Sequence, residues 1–286
     1  MKQLLILSGK GGTGKTTIAT AFIKLSQTDV YGDCDVDAPN LHLLNSVASS
    51  PEVSDFIGMP KALIDSNLCH QCQECMNHCR FDAIHMVDGL IQVDPYACEG
   101  CGVCYEVCPT KAIEMVEDVA GSLMLYKEQD YFSTAKLNMG SGTSGKLVSE
   151  VKKQLKGYKG DSDLIVIDGS PGIGCPVIAS VSGVDMVLVV AEPTLSGISD
   201  MERILGTAAH FHTKAVVCVN KADVNQRLTA EIQKKCLRND IPFVGSMPYD
   251  KAVPKLLNEG LSILDGPCEA GNHVRELYEN TMHYLT

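Results

Sequence analysis

An eight-residue glycine-rich loop, Gly9-Lys10-Gly11-Gly12-Thr13-Gly14-Lys15-Thr16, directly follows the apolar run 2–7 (KQLLIL). The run reads as a buried parallel strand, and the residues from about Gly14 to Ser26 read as a helix. A strand that turns through glycines into a helix leaves few folds open. The glycines let backbone N–H groups turn inward, and the helix start adds its dipole, so such a turn cradles phosphate. In the pattern G-x-x-x-x-G-K-[ST] the lysine, here Lys15, reaches the β- and γ-phosphates, and the hydroxyl of Thr16 ligates magnesium. Gly11, Gly12, Thr13, Gly14 and Thr17 complete the expected nucleotide-binding loop.

The rest of the chain supplies a matching sheet. A second strand ends at Asp33, and short buried runs recur at 164–168 (LIVID), 186–191 (MVLVVA) and 215–219 (AVVCV), with a weaker one at 242–246. Helical stretches at about 144–157, 176–182, 197–211 and 226–238 separate them. This alternation predicts an α/β fold with a doubly wound parallel sheet. Residues 60–117 break the rhythm. They read as an inserted small α+β module, which leaves residues 1–59 and 118–286 as a discontinuous nucleotide-binding domain.

Eight of the 13 cysteines fall between Cys69 and Cys108, inside the insert. Cys69, Cys72, Cys75, Cys79, Ala83, Ile84, Met86 and Val87 recur at one constant offset as Cys98, Cys101, Cys104, Cys108, Ala112, Ile113, Met115 and Val116. The insert is therefore an internal duplication. Cys98-x2-Cys101-x2-Cys104-x3-Cys108-Pro109 matches the run of bacterial two-cluster ferredoxins, in which the fourth cysteine ligates the other cluster. On that pattern one 4Fe–4S cluster takes Cys69, Cys72, Cys75 and Cys108, and the second takes Cys79, Cys98, Cys101 and Cys104. The first run has Arg80 where proline is usual. Zinc is the other use of paired C-x-x-C units. His70, His78 and His85 read as surface groups, Cys34, Cys218 and Cys236 as core, and Cys175 as a buried structural cysteine. The spacing points to metal–thiolate chemistry in a reducing cytoplasm rather than to a secreted disulfide scaffold. Residues 1–7 lead straight into the glycine loop without the features of a signal peptide.

The reading K-G-G-T-G-K-T-T resembles the deviant phosphate loop of the MinD, ParA, Mrp and nitrogenase iron-protein class. That resemblance implies that Lys10 crosses a dimer interface to the partner's nucleotide. The segment Asp33-Cys34-Asp35-Val36-Asp37-Ala38-Pro39-Asn40 resembles the class's switch I. By that likeness Asp35 orients the attacking water and Asp33 lies on the magnesium side. Leu164 to Asp168, followed by Gly169-Ser170-Pro171-Gly172, resembles a Walker B strand entering switch II, which makes Asp168 a magnesium ligand. Asn220-Lys221-Ala222-Asp223 reads like the guanine-selecting N-K-x-D of GTPases. In the MinD class the asparagine contacts adenine, so Asn220 and Lys10 together favour ATP. Nearly the whole chain is similar to MinD-superfamily ATPases with an inserted ferredoxin domain.

The expected cofactors are thus ATP, Mg2+ and two 4Fe–4S clusters. The expected activity is ATP hydrolysis coupled to low-potential electron transfer, with an Mrp-type assembly factor as the alternative and MinD-type positioning third. The resemblance implies a homodimer, or a heterodimer with a similar ATPase, and a redox or cofactor-assembly partner. A net charge of −11 argues against nucleic-acid binding. No apolar run is long enough to span a membrane. The C-terminal stretch has Val274, Leu277, Tyr278 and Leu285 at helical spacing but only Arg275 as a fixed positive charge. It reads as a helix docked on the protein's own body rather than on a membrane surface.

Overall fold

A computed structural model of the chain describes residues 1–45 and 50–285. In chain order, β1 (Lys2–Leu7), α1 (Lys15–Ser26), β2 (Val30–Asp33) and α2 (Leu41–Leu44) come first. Then follow β3 (Glu52–Ile57), β4 (Lys61–Ile64), α3 (Glu74–His78), β5 (Ile84–Val87), β6 (Leu90–Val93), α4 (Val103–Val107) and β7 (Ile113–Val116). Two longer strands, β8 (Val119–Tyr126) and β9 (Tyr131–Leu137), precede the second half. That half comprises α5 (Ser144–Leu155), β10 (Leu164–Asp168), α6 (Cys175–Val181), β11 (Met186–Ala191), α7 (Leu195–His210) and β12 (Lys214–Asn220). It ends with α8 (Gln226–Arg238), β13 (Phe243–Met247), α9 (Ala252–Asn258) and α10 (Glu269–Leu285).

The chain divides into two compact units. The first comprises Met1–Val53, Leu123–Lys136 and Gly145–Thr286. Its sheet runs β13-β12-β11-β1-β10-β2-β9 and is parallel throughout. The central strands β1, β10 and β11 are apolar along most of their length because helices cover both faces. Phe22 of α1 meets Tyr278 of α10 edge-on at 5.2 Å, and Tyr31 stacks on Phe132 at 4.9 Å. Helix α10 buries Val274, Leu277 and Leu285 in this same core, as its apolar spacing requires. Among the described residues no helix is long and apolar enough to cross a membrane.

Strand register fixes the functional edge. Asp168 pairs in register with Ile6 on one side and with Asp33 on the other. Both carboxylates therefore stand at the C-terminal ends of adjacent parallel strands, next to the loop that follows β1. Ligands of open α/β sheets bind along that edge.

The second unit, Ser54–Ser122 with Leu137–Ser144, realises the duplication strand by strand. β4, α3 and β5 form one copy, and β6, α4 and β7 form the other, each element displaced by the offset of the cysteine runs. The copies exchange strands: β4 pairs antiparallel with β7, and β5 with β6. Matching bonds close the two halves, with Asp65 N–H donating to Ala112 O and Asp94 N–H to Ala83 O, both at 2.8 Å. The core of this unit consists largely of Ala62, Ile84, Ile91 and Ile113 together with Cys75, Cys98 and Cys104.

Candidate active site and thiolate cradles

In the first unit, the loop after β1 wraps the N-terminus of α1. Gly14 adopts a left-handed conformation (φ 94°), and a Cβ there would lie 2.3 Å from Asn220 Nδ2, so only glycine fits. Asn220 Nδ2 itself donates to Thr13 O at 2.8 Å, and Thr13 Oγ1 donates to Lys10 O at 2.8 Å. Thr13 is thus a buried brace of the loop. Lys10, Gly11, Gly12, Gly14, Lys15, Thr16 and Thr17 line the open cleft, facing Asp35.

Lys15 Nζ lies 2.7 Å from Asp168 Oδ1, and Thr16 Oγ1 donates to Asp168 Oδ2 at 2.6 Å. Lys15 is 6% exposed and Asp168 is fully buried. Burial works against the Lys15 charge, but Asp168, Asp33 and Asp35 outweigh it and hold the ammonium above its ordinary range. Asp33 is also fully buried. Its Oδ1 accepts from Asp35 N–H, and its Oδ2 from Asn40 N–H and Leu41 N–H. It therefore anchors the loop 34–41 and the start of α2, while Asp168 is the carboxylate that Lys15 and Thr16 touch. Burial, with Asp168 close by, raises the Asp33 carboxyl. The half-buried Asp35 is pushed up to about 6 by burial and by Asp168 and Asp37, against the pull of Lys15.

Further contacts complete this site, and one of the residues that make them, Glu192, was not singled out by sequence. Glu192, just after β11, is 12% exposed and receives two lysines. Lys10 Nζ lies 3.4 Å from one of its oxygens and Lys221 Nζ 2.5 Å from the other. Lys221 Nζ also donates to Gly12 O at 2.9 Å. Ser170 Oγ donates to Cys34 O, which ties the segment after β10 to the segment after β2. Asp223 Oδ1 accepts from Tyr249 N–H at 2.6 Å, so this carboxylate shapes the wall of a second cleft shared by Gly12, Asn220, Pro248 and Tyr249. Glu192 lies outside every motif, so only its three-dimensional position reveals it.

Cys34, Cys218 and Cys236 are buried, and burial pushes the Cys34 thiol up to about 12 and that of Cys236 up to about 11. Cys175 is a correction: it is exposed, not a buried structural cysteine. It opens α6 and precedes Pro176, and the buried face of that helix is formed by Val177, Ser180 and Val181. Lys152 holds the other end of α6 by donating to the carbonyls of Ala179, Ser180 and Ser182.

In the second unit the two cysteine runs repeat one backbone pattern. Gln71, Gln73 and Asp82 have left-handed backbones, and so do Gly100, Gly102 and Lys111, their counterparts in the second copy. Alternation of this kind turns successive N–H groups into a concavity that suits anions and iron–sulfur sites. The last thiol of each run accepts a backbone N–H: Ala83 to Cys79 Sγ at 3.4 Å, and Ala112 to Cys108 Sγ at 3.3 Å. Cys79, Cys98, Cys101 and Cys104 line one small cavity of about 20 Å3, together with apolar groups such as Ala62 and Phe81. Cys72 and Cys101 are the exposed members of the two runs. His70, His78 and His85 are exposed. Among the described residues no three His, Cys, Asp or Glu side chains are spaced to hold a metal ion. Thiolates around one zinc lie at about 2.3 Å from it, whereas a cubane spreads its ligands over four irons and needs a wider set. The donor chemistry and the turned amides fit the cluster.

Residues 4–263 match the family model described as the CobQ/CobB/MinD/ParA nucleotide binding domain. An uncharacterised protein of Methanocaldococcus jannaschii is 33% identical over 99% of this chain and 97% of its own length. Among solved structures, the cell division ATPase MinD of Pyrococcus furiosus superposes with a TM-score of 0.57 at 17% identity, covering 99% of both chains. MinD of Pyrococcus horikoshii, solved with Mg-ADP, gives 0.56 at 17% identity over 98% of this chain and 95% of that one. The fold, the phosphate loop and the paired strand-end aspartates agree with the family match, and the chain belongs to the CobQ/CobB/MinD/ParA family of nucleotide-binding ATPases.

Proposed function

We propose that this protein is an ATP-hydrolysing iron–sulfur protein in which nucleotide state governs electron transfer from two 4Fe–4S clusters to a protein partner. The observation that carries the reading is the repetition, copy for copy, of left-handed turns and amide-to-thiol bonds around eight cysteines in a chain that also builds a phosphate loop. When bound, the clusters supply low-potential one-electron chemistry.

The first unit's residues have separable roles. The amides of Gly11, Gly12 and Gly14 bind phosphate, and Lys15 exchanges Asp168 for the β- and γ-phosphates. Thr16 and Asp168 would hold magnesium, which neutralises charge on the phosphates. Asp35 orients the attacking water, and Asp33 keeps Asp35 in place through the loop 34–41. Lys10, drawn from Glu192, reaches the nucleotide of a second copy or of a similar ATPase. The bond from Tyr249 N–H to Asp223 leaves that carboxylate shaping the base pocket, in keeping with adenine rather than guanine. Ser170 connects the two switch segments, so a change at the γ-phosphate moves both.

The experiment is an anaerobic redox titration with and without Mg–ATP in Asp35→Ala, the variant expected to bind ATP without hydrolysing it. A fall of about 100 mV on ATP binding, equivalent to roughly 2.3 kcal/mol for one electron, supports gated electron transfer. Unchanged potentials favour the second reading, an ATP-dependent assembly factor. The exposure of Cys72 and Cys101 is the feature that favours it, because a cluster leaves a site through accessible ligands. A third reading, MinD-type positioning, is favoured by the family match over residues 4–263 and by the likeness to solved MinD structures.

A further inference from the structure

The duplication makes each half of the cysteine unit a control for the other, and one difference stands beside the cysteine that ends each run. Phe81 follows Cys79 at the position that Thr110 takes after Cys108. Backbone donation to the two sulfurs is alike, from Ala83 N–H at 3.4 Å and from Ala112 N–H at 3.3 Å. The side chains are not alike. Thr110 Oγ1 lies 3.7 Å from Cys108 Sγ, within the range of a hydrogen bond to sulfur. A ligating thiolate has no proton to give, so the hydroxyl is the donor. Phe81 has no donor and joins Ala62, Val103 and Met115 in the apolar lining beside Cys79.

We infer that Thr110 sets the two cluster sites apart, raising the reduction potential of the cluster ligated by Cys108 above that of the cluster ligated by Cys79. The inference rests on the two-cluster reading given above. Adding an electron makes a cluster and its thiolates more negative. A donor to a ligand sulfur stabilises that state, and an apolar wall disfavours it. Both effects act in the same direction here. The amide bonds from Ala83 and Ala112 are matched, so those two do not set the sites apart.

The test uses the full chain purified without oxygen, with iron analysis and a redox titration followed by EPR. Wild type is expected to show two potentials. Thr110→Val lowers the higher one by about tenfold in the reduction equilibrium, which is ~59 mV for one electron, and leaves the lower one in place. Thr110→Ser, which keeps the hydroxyl, retains the wild-type value. Phe81→Thr raises the lower potential toward the higher. Equal potentials in wild type, or a Thr110→Val variant that moves the lower potential or neither, overturn the inference while the two-cluster reading stands. Purified chain without iron and without an EPR signal overturns that reading, and the inference with it.

Discussion

Lys15 Nζ and Asp168 Oδ1 stand 2.7 Å apart in a part of the first unit that water hardly reaches. The phosphate-binding lysine is therefore neutralised internally before any nucleotide arrives. ATP must separate a buried ion pair to enter, and the gain from phosphate and magnesium must offset that separation. Removing the lysine instead leaves Asp168 and the neighbouring Asp33 as buried carboxylates without a cation. Lys15→Ala is expected to abolish ATP binding and to destabilise the nucleotide-free chain by about 3–5 kcal/mol, the usual result of breaking a buried pair. Chemical denaturation of the nucleotide-free variant checks this, and wild-type stability would show that the pair contributes little.

Asp35 should separate binding from turnover. Its carboxyl faces the cleft without a direct bond to Lys15 or Thr16, so Asp35→Ala is expected to keep ATP affinity, lose hydrolysis and accumulate an ATP-bound dimer. Nucleotide binding, phosphate release and sedimentation measured on one preparation decide the point. Hydrolysis at the wild-type rate would remove Asp35 from the water-orienting role.

Glu192 holds Lys10 within its own chain, at an ion pair whose lysine is 42% exposed. Half-exposed pairs of this kind contribute up to about 1 kcal/mol. Glu192→Gln should release Lys10 and strengthen the ATP-dependent dimer by up to about fivefold, with little change in ATP binding to the monomer. Sedimentation across a concentration series provides the readout. A weaker dimer would mean that Glu192 positions Lys10 for the partner rather than restraining it.

Loss of one thiolate should be local. Cys104→Ser is expected to lower the iron content from about eight to about four per chain while ATP binding and the helical signal of the first unit persist. Collapse of ATP binding in the same preparation would show that the two units do not fold independently.

Much of this was legible in the sequence, for physical reasons that differ from element to element. The strands ending at Asp33 and Asp168 are short apolar runs capped by a carboxylate, and both lie where that pattern puts them. The Gly14 loop announces itself because few residues other than glycine tolerate its backbone. The strands β8 and β9 did not stand out: Val119–Tyr126 and Tyr131–Leu137 mix small, polar and aromatic residues without a clean period, and the sheet rather than local preference holds them. Helix α9 was hidden by Pro254, which its first turn accommodates. Cys175 misled because cysteine is usually buried, whereas the first turn of a helix that packs by Val177 and Val181 leaves it outside. Glu192 acts through partners remote in sequence, so no local pattern could have marked it; Ser170 was marked only as part of the Gly169–Gly172 segment, and its bond to Cys34 O needed the structure.

The exchange of strands between the two copies of the cysteine unit has a consequence for its ancestry. A solitary copy would carry two unpaired strands, the equivalents of β4 and β5, with no partner of its own for either. It would be complete only when two identical chains met face to face, each lending its edges to the other. Joining the copies in one polypeptide removes the dependence on concentration. It also frees the halves from having to be identical, so a phenylalanine and a threonine can now occupy what was once a single gene position.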